Sequence, residues 1–322
     1  MTRFDAMVAP LAVVTRSGFD ESVHHGAGVA LDPGGTVVAA IGDPDLVVYP
    51  RSCLKPLQAD AMVGIGLDLT DAQLAVACAS HDGSPTHLDV VRSILDRYGL
   101  DESDLANTPA RPRDAAARAA ARSAGVEPSP LQQNCSGKHA AMLATCRING
   151  WPTDGYLDRD HPVQVAITVG IQSLGAVVEH IGVDGCGAPT HACSLRELAG
   201  AFAIIAVPES AVARAMTSHP ELVGGPTRDV TLWMQALPTL VAKEGAAGVM
   251  AAAFADGRAV AYKVADGSDD ARQAVVPAAL RAVGVGVAAT AATTVERVAV
   301  PVLGHGEPVG RIEELEWTPC SS

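Results

Sequence analysis

Strand-like segments lie at both ends of this chain and helix-like ones fill its middle, a distribution that few folds accommodate. Residues 11–16, 26–31 and 36–41 read as strands, and the turn Asp32-Pro-Gly-Gly35 joins the last two. Near the other end, residues 248–254 and 259–264 flank Asp256-Gly257, a dipeptide suited to a type I′ hairpin. Further strands are expected near 295–303 and 309–315. Helical periodicity predicts helices over 54–64, 70–79, 87–98, 138–147, 163–174, 194–205, 209–217, 229–243 and 269–283. Residues 104–125 are Ala/Arg-rich and read as either a helix or an excursion. The expectation is a mixed α/β fold, its sheet built from both termini and covered by helices. No repeat or linker marks a boundary in the 322 residues, so 1–322 is expected to be a single domain, with two coupled lobes as the variant.

Composition narrows the function. An apolar fraction of 48% suffices for a large core and argues against disorder. A net charge of −13, with no basic run longer than Arg111-Pro-Arg113, argues against a nucleic-acid partner. The longest apolar run, 199–208, is too short to span a bilayer, so no membrane partner is expected. The stretch through Pro10 lacks the charged start and sustained apolar run of a secretion signal. Seven cysteines, an odd number, read as reduced thiols or metal ligands, and a cytoplasmic location is expected.

Among 23 basic residues only four are lysines: Lys55, Lys138, Lys243 and Lys263. Lysine sheds its proton when buried and arginine does not, so each amine is worth examining. Ser52-x-x-Lys55 places a hydroxyl and an amine one helical turn apart, the spacing that opens Ser-x-x-Lys acyl-transfer enzymes. Ser80-His81-Asp82-Gly83 follows an apolar helix, as a site lip or a cap would. Cys135-Ser-Gly-Lys138, with the distant Cys186, offers two thiols and an amine to a metal, and His139 and His191 are further candidates. No CxxC pair is present, and inert packing of the thiols is the competing reading. Lys263-Val-Ala-Asp-Gly267 is a loose echo of the Lys-Thr-Gly element of the same enzymes. Lys243, next to Glu244, reads as a surface residue.

Taken in order, Arg51-Ser-Cys-Leu-Lys-Pro-Leu-Gln58, Cys78-Ala-Ser-His81, Asn134-Cys-Ser-Gly-Lys-His139, Asp184-Gly-Cys-Gly187, His219-Pro-Glu-Leu-Val-Gly-Gly225 and Lys263-Val-Ala-Asp-Gly267 resemble the Rhizobium-type L-asparaginases, the asparaginase II family. The resemblance runs from about residue 11 to 315. It implies a fold similar to serine β-lactamases and penicillin-binding proteins, and hydrolysis of L-asparagine to L-aspartate and ammonia. It implies two Ser–Lys pairs, Ser52 with Lys55 and Ser80 with Lys263, and zinc held by Cys135, Lys138 and Cys186. A homodimer is implied as well. Arg51 is then the candidate for the substrate carboxylate, Asp184 for its ammonium group, and His81 for a further substrate contact. The family often carries Glu at position 84 and His at 133, where this chain has Ser84 and Gln133. Other acyl hydrolases (a glutaminase, a β-lactam hydrolase or an esterase) and a non-catalytic zinc- or amino-acid-binding protein are the alternative readings.

Overall fold

The computed structural model describes residues 6–287 and 291–320. In chain order the elements are β1 (Ala9–Arg16), β2 (Phe19–Leu31), β3 (Val37–Ile41), β4 (Val47–Val48), α1 (Lys55–Gly64), α2 (Asp71–Ala77), α3 (Pro85–Arg97), α4 (Ala115–Ser123), α5 (Ser136–Ile148) and α6 (Pro162–Ser173). They continue with β5 (His180–Val183), β6 (Pro189–Ser194), α7 (Leu195–Ile205), α8 (Ala211–Ser218), α9 (Pro220–Val223), α10 (Asp229–Ala236), β7 (Leu240–Gly245), β8 (Val249–Phe254) and β9 (Ala259–Val264). Last come α11 (Asp269–Ala282), α12 (Ala292–Val298), β10 (Pro301–Gly304), β11 (Glu307–Glu314) and β12 (Thr318–Pro319). The chain divides into two compact units, one of residues 1–53, 192–207 and 232–322, the other of 54–191 and 208–231.

The first unit is built on an antiparallel sheet of order β10-β11-β1-β2-β9-β8-β7, with β3 beside β2 and β12 beside β3. Strands from both termini interleave, as the sequence predicts: β1 and β2 lie between β11 and β9. Strands β7, β8 and β9 and the inner half of β2 are buried along their whole length. That is why β8 and the inner half of β2 read as continuous small apolar runs and not as alternating ones. Helices α7 and α11 pack on this sheet.

The second unit is helical. Its centre is α5, buried from Ser136 through Cys146, with α2 and α3 against it and α1 against α6. A Cβ on Gly137 would lie 2.3 Å from the carbonyl oxygen of Val76, so only glycine lets α5 approach α2 this closely. Helix α2 opens on a capping box, Thr70 with Gln73, and ends just before Ser80. No helix among the described residues is long and apolar enough to cross a membrane.

Three sequence expectations change. The helix expected over 229–243 stops at Ala236, because Pro238 cannot continue it, and 240–245 pair with β8 as an edge strand. The strand expected over 295–303 begins as α12, whose Thr294 and Val298 are buried one turn apart, and extends only from Pro301. Lys243 is not on the surface: it is 0% exposed and pairs with Glu244 at 2.9 Å. The excursion at 104–125 contains the short helix α4, none of whose residues is buried.

Candidate active site

In the helical unit, Lys55 is the first residue of α1 and its side chain is buried. Its Nζ donates to the carbonyl of Ala79 at 2.5 Å, to Ser80 Oγ at 3.2 Å and to the carbonyl of Asn134 at 3.5 Å. The amine therefore joins three segments: the head of α1, the loop after α2 and the loop before α5. Ser80 is held from behind, its N–H donating to Val223 of α9 at 3.0 Å.

His81 points into the interior. It is 0% exposed, its Nε2 lies 2.9 Å from Ser136 Oγ, and its ring stacks on His87 at 5.3 Å. Burial, then the charges of His87 and Lys55, holds its pKa well below the ordinary value, so the ring is a neutral imidazole. His87 Nδ1 lies 2.8 Å from Asp82 Oδ1 and 2.7 Å from Ser84 Oγ, and Nε2 faces the Glu221 carbonyl at 3.2 Å. Burial works against the charge of Asp82, but the bonds from His87 and the Ser84 N–H outweigh it and lower its pKa. Aspartate and serine share one ring nitrogen here, so this is no Ser–His–Asp relay, in which they must sit on opposite nitrogens. It is a brace for the loop that carries Ser80.

Cys135, Lys138 and Cys186, distant in sequence, come together, all three buried. Lys138 Nζ donates to Cys186 Sγ at 3.2 Å. The hydrogen bond shared with Cys186, then the charges of Lys55 and Lys138, holds the Cys135 thiol well below its ordinary pKa despite burial. The same bond and burial push Cys186 up. One thiolate and one thiol share a proton, beside an amine whose pKa burial would lower but Cys186, Cys135 and Asp184 raise. Two sulfurs, one already ionised, are a donor set that suits zinc. Among the described residues no group of three or more His, Cys, Asp or Glu side chains is placed to hold a metal, and the third side chain of this cluster is Lys138. Asp184 is half-buried at the turn leading to Cys186, with Oδ1 accepting from the Gly185 N–H at 2.8 Å.

Several partners carried no signal of their own in the sequence. Gln133 Oε1 accepts from the Cys135 N–H at 2.9 Å and from Asn107 Nδ2 at 3.1 Å, so this chain's glutamine ties the backbone at Cys135 to Asn107. The Tyr156 hydroxyl accepts from the Ala106 N–H at 3.1 Å and is hydrogen-bonded to His139 Nδ1 at 2.8 Å. His139 Nε2 is a buried atom with no hydrogen-bond partner among the described residues. His191 Nε2 is bound to Thr168 Oγ1 at 2.8 Å, and burial, then Lys138, lowers its pKa to about 4. The segment His219–Gly225 has no reacting side chain, yet its carbonyls at 221 and 223 brace His87 and Ser80.

In the sheet unit, Ser52 is half-buried in the short turn Arg51–Leu54, and Arg51 is half-buried with φ +54°. Lys263 lies on β9, paired with Ala27 and Val249, and is 8% exposed. Its Nζ donates to the carbonyls of Ala247 at 2.6 Å and Val264 at 2.5 Å. Burial lowers its pKa, against the opposing charge of Asp266. Asp266 in turn pairs with His24 at 2.6 Å.

A family model described as L-asparaginase II matches residues 12–314 of this chain. A search of the curated proteins found no match. Among solved structures, one titled a β-lactamase from Mycobacterium bovis is similar over 82% of this chain and 94% of that one, at 16% identity and a TM-score of 0.43.

Proposed function

The chain belongs to the L-asparaginase II family, and on that premise we propose that it hydrolyses the side-chain amide of L-asparagine to L-aspartate and ammonia. The observation that carries the reading is Lys55, a buried amine three residues from Ser52 along the chain and hydrogen-bonded to Ser80 Oγ. A buried lysine is costly to keep, and a hydroxyl within hydrogen-bond reach gives it a group with which to exchange a proton.

In the proposed cycle Ser52 Oγ attacks the amide carbon and Lys55 takes its proton. Backbone N–H groups beside the nucleophile stabilise the developing oxyanion. Ser80 and Lys263 pass a proton to the departing nitrogen, which leaves as ammonia. Water then attacks the acyl–serine ester and releases L-aspartate. The lowered pKa of Lys263 supports its part, since a buried lysine gives up a proton more readily. Arg51 takes the α-carboxylate and Asp184 the α-ammonium. His81, buried against Ser136, supports the Ser80 loop from within and makes no charged contact with substrate.

Cys135, Lys138 and Cys186 are assigned to zinc on the donor set described above. When bound, the metal would supply a fixed positive charge that orders the loops before α5 and after β5. The family resemblance further leads to a homodimer, read by light scattering as twice the chain mass.

The direct test is ammonia release from L-asparagine, run beside L-glutamine and the β-lactam nitrocefin. Turnover of L-asparagine alone supports the reading. Preferential turnover of glutamine or nitrocefin reassigns the substrate. Stabilisation by L-asparagine without any turnover makes the protein a binder.

A further inference from the structure

Four non-glycine residues among those described have positive φ: Ser17, Arg51, Ala247 and His305. Three of them precede a glycine that is also left-handed, Gly18, Gly248 and Gly306, in turns between paired strands. Such turns require that conformation. Arg51 is different: it lies in no hairpin and is followed by Ser52. A left-handed non-glycine residue persists only where its surroundings hold it.

Those surroundings belong to the sheet. The Cys53 N–H closes the turn onto the Pro50 carbonyl at 3.1 Å. Cys53 is 0% exposed, and its thiol donates to the Lys243 carbonyl on β7 at 3.0 Å. The backbone N–H of Ala251, which pairs with Lys243 across β7 and β8, donates to the same sulfur. Burial pushes this thiol up to about 12, so it keeps its hydrogen and remains a donor. Two residues further along β7, Gly245 meets the other side of the turn. A Cβ there would lie 2.2 Å from the Pro50 carbonyl oxygen and 3.1 Å from Cys53 Sγ. No positive φ calls for glycine at 245, so its lack of a side chain serves this approach. Ser52 is therefore bracketed by two backbone-level contacts with the end of β7.

We propose that Gly245 and Cys53 are positioning residues for Ser52, clamping its turn to the end of β7 and so fixing where the hydroxyl attacks. The inference rests on Ser52 being the nucleophile. Misplacing a nucleophile by about 1 Å costs on the order of a hundredfold in rate, so the clamp acts on kcat and much less on KM. Cys53→Ser keeps a donor at the sulfur's place and Cys53→Ala removes it. Gly245→Ala pushes the Pro50 carbonyl, and the turn with it, away from β7.

The experiment measures ammonia release from L-asparagine by wild type, Ser52→Ala, Cys53→Ala, Cys53→Ser and Gly245→Ala, with melting temperatures for each. Ser52→Ala is expected to be inactive. Cys53→Ala should lose about tenfold in kcat, the rate equivalent of one net hydrogen bond, with KM within about twofold. Cys53→Ser should recover most of that loss, and Gly245→Ala should lose about a hundredfold. If Gly245→Ala does not fold, the two Cys53 variants decide. Folded Cys53→Ala with wild-type kcat, or a loss that Cys53→Ser fails to recover, overturns the clamp while an inactive Ser52→Ala leaves the nucleophile assignment standing. An active Ser52→Ala overturns that assignment and the clamp with it.

Discussion

Lys55 and Lys263 are both buried amines, but they are held differently. Lys55 donates to a serine hydroxyl and two carbonyls, whereas Lys263 donates to two carbonyls of its own sheet. A proton-transfer role for Lys263 has a measurable sign. Burial lowers its pKa, so the free amine becomes populated below the ordinary lysine value, and kcat/KM should rise with pH on approaching that value. Between the folded and unfolded pKa the unfolded chain holds more protons, so this residue's contribution to stability also rises with pH there. Lys263→Arg keeps the charge and cannot release a proton. It should lose at least about a hundredfold in kcat at every pH, read from pH–rate profiles of variant and wild type. The scarcity of lysine makes these residues legible: three of the four stand out by their neighbours, and Lys243 does not, because an adjacent glutamate looks the same in a solvated pair as in a buried one. Gln133, Tyr156 and the carbonyls of 221 and 223 were not legible as partners, since their roles arise from loops meeting in space.

The elements carry the site through close approaches. Helix α5 brings Lys138 and His139 in one turn of each other and rests on α2 at Gly137. Gly137→Ala should destabilise the protein by about 1–3 kcal/mol through overpacking against Val76, lowering the melting temperature by several degrees in calorimetry. An unchanged melting temperature would mean that α5 can shift without cost. Helices were largely predictable from periodicity and caps, as α2 and α6 illustrate. Short segments of mixed polarity fit both periods: 240–245 is strand because β8 lies beside it, and 292–298 is helix because its buried face packs on α11. The outer half of β2, polar and exposed, escaped notice because only pairing with β1 makes it a strand.

For the whole molecule, the excess of acidic residues limits the choice of partners and says nothing of the reaction. Six motifs spread from Arg51 to Gly267 do more, and all of them lie within the residues 12–314 that the L-asparaginase II family model matches. Zinc binding, as proposed, would need the folded protein, since Cys186 lies 48 residues beyond Lys138. Cys186→Ser should lower the zinc content of the purified protein from about one per chain toward zero by atomic absorption, because a hydroxyl is a far weaker zinc ligand than a thiolate. Full zinc content in that variant would remove Cys186 from the ligand set. The proposed serine–amine amide hydrolysis is tested most directly by steady ammonia release from L-asparagine by the wild type and by Ser52→Ala. The expected result is sustained release by the wild type and a loss of about 10⁴-fold or more in the variant. Wild-type turnover in Ser52→Ala, or no ammonia from the wild type, would contradict it.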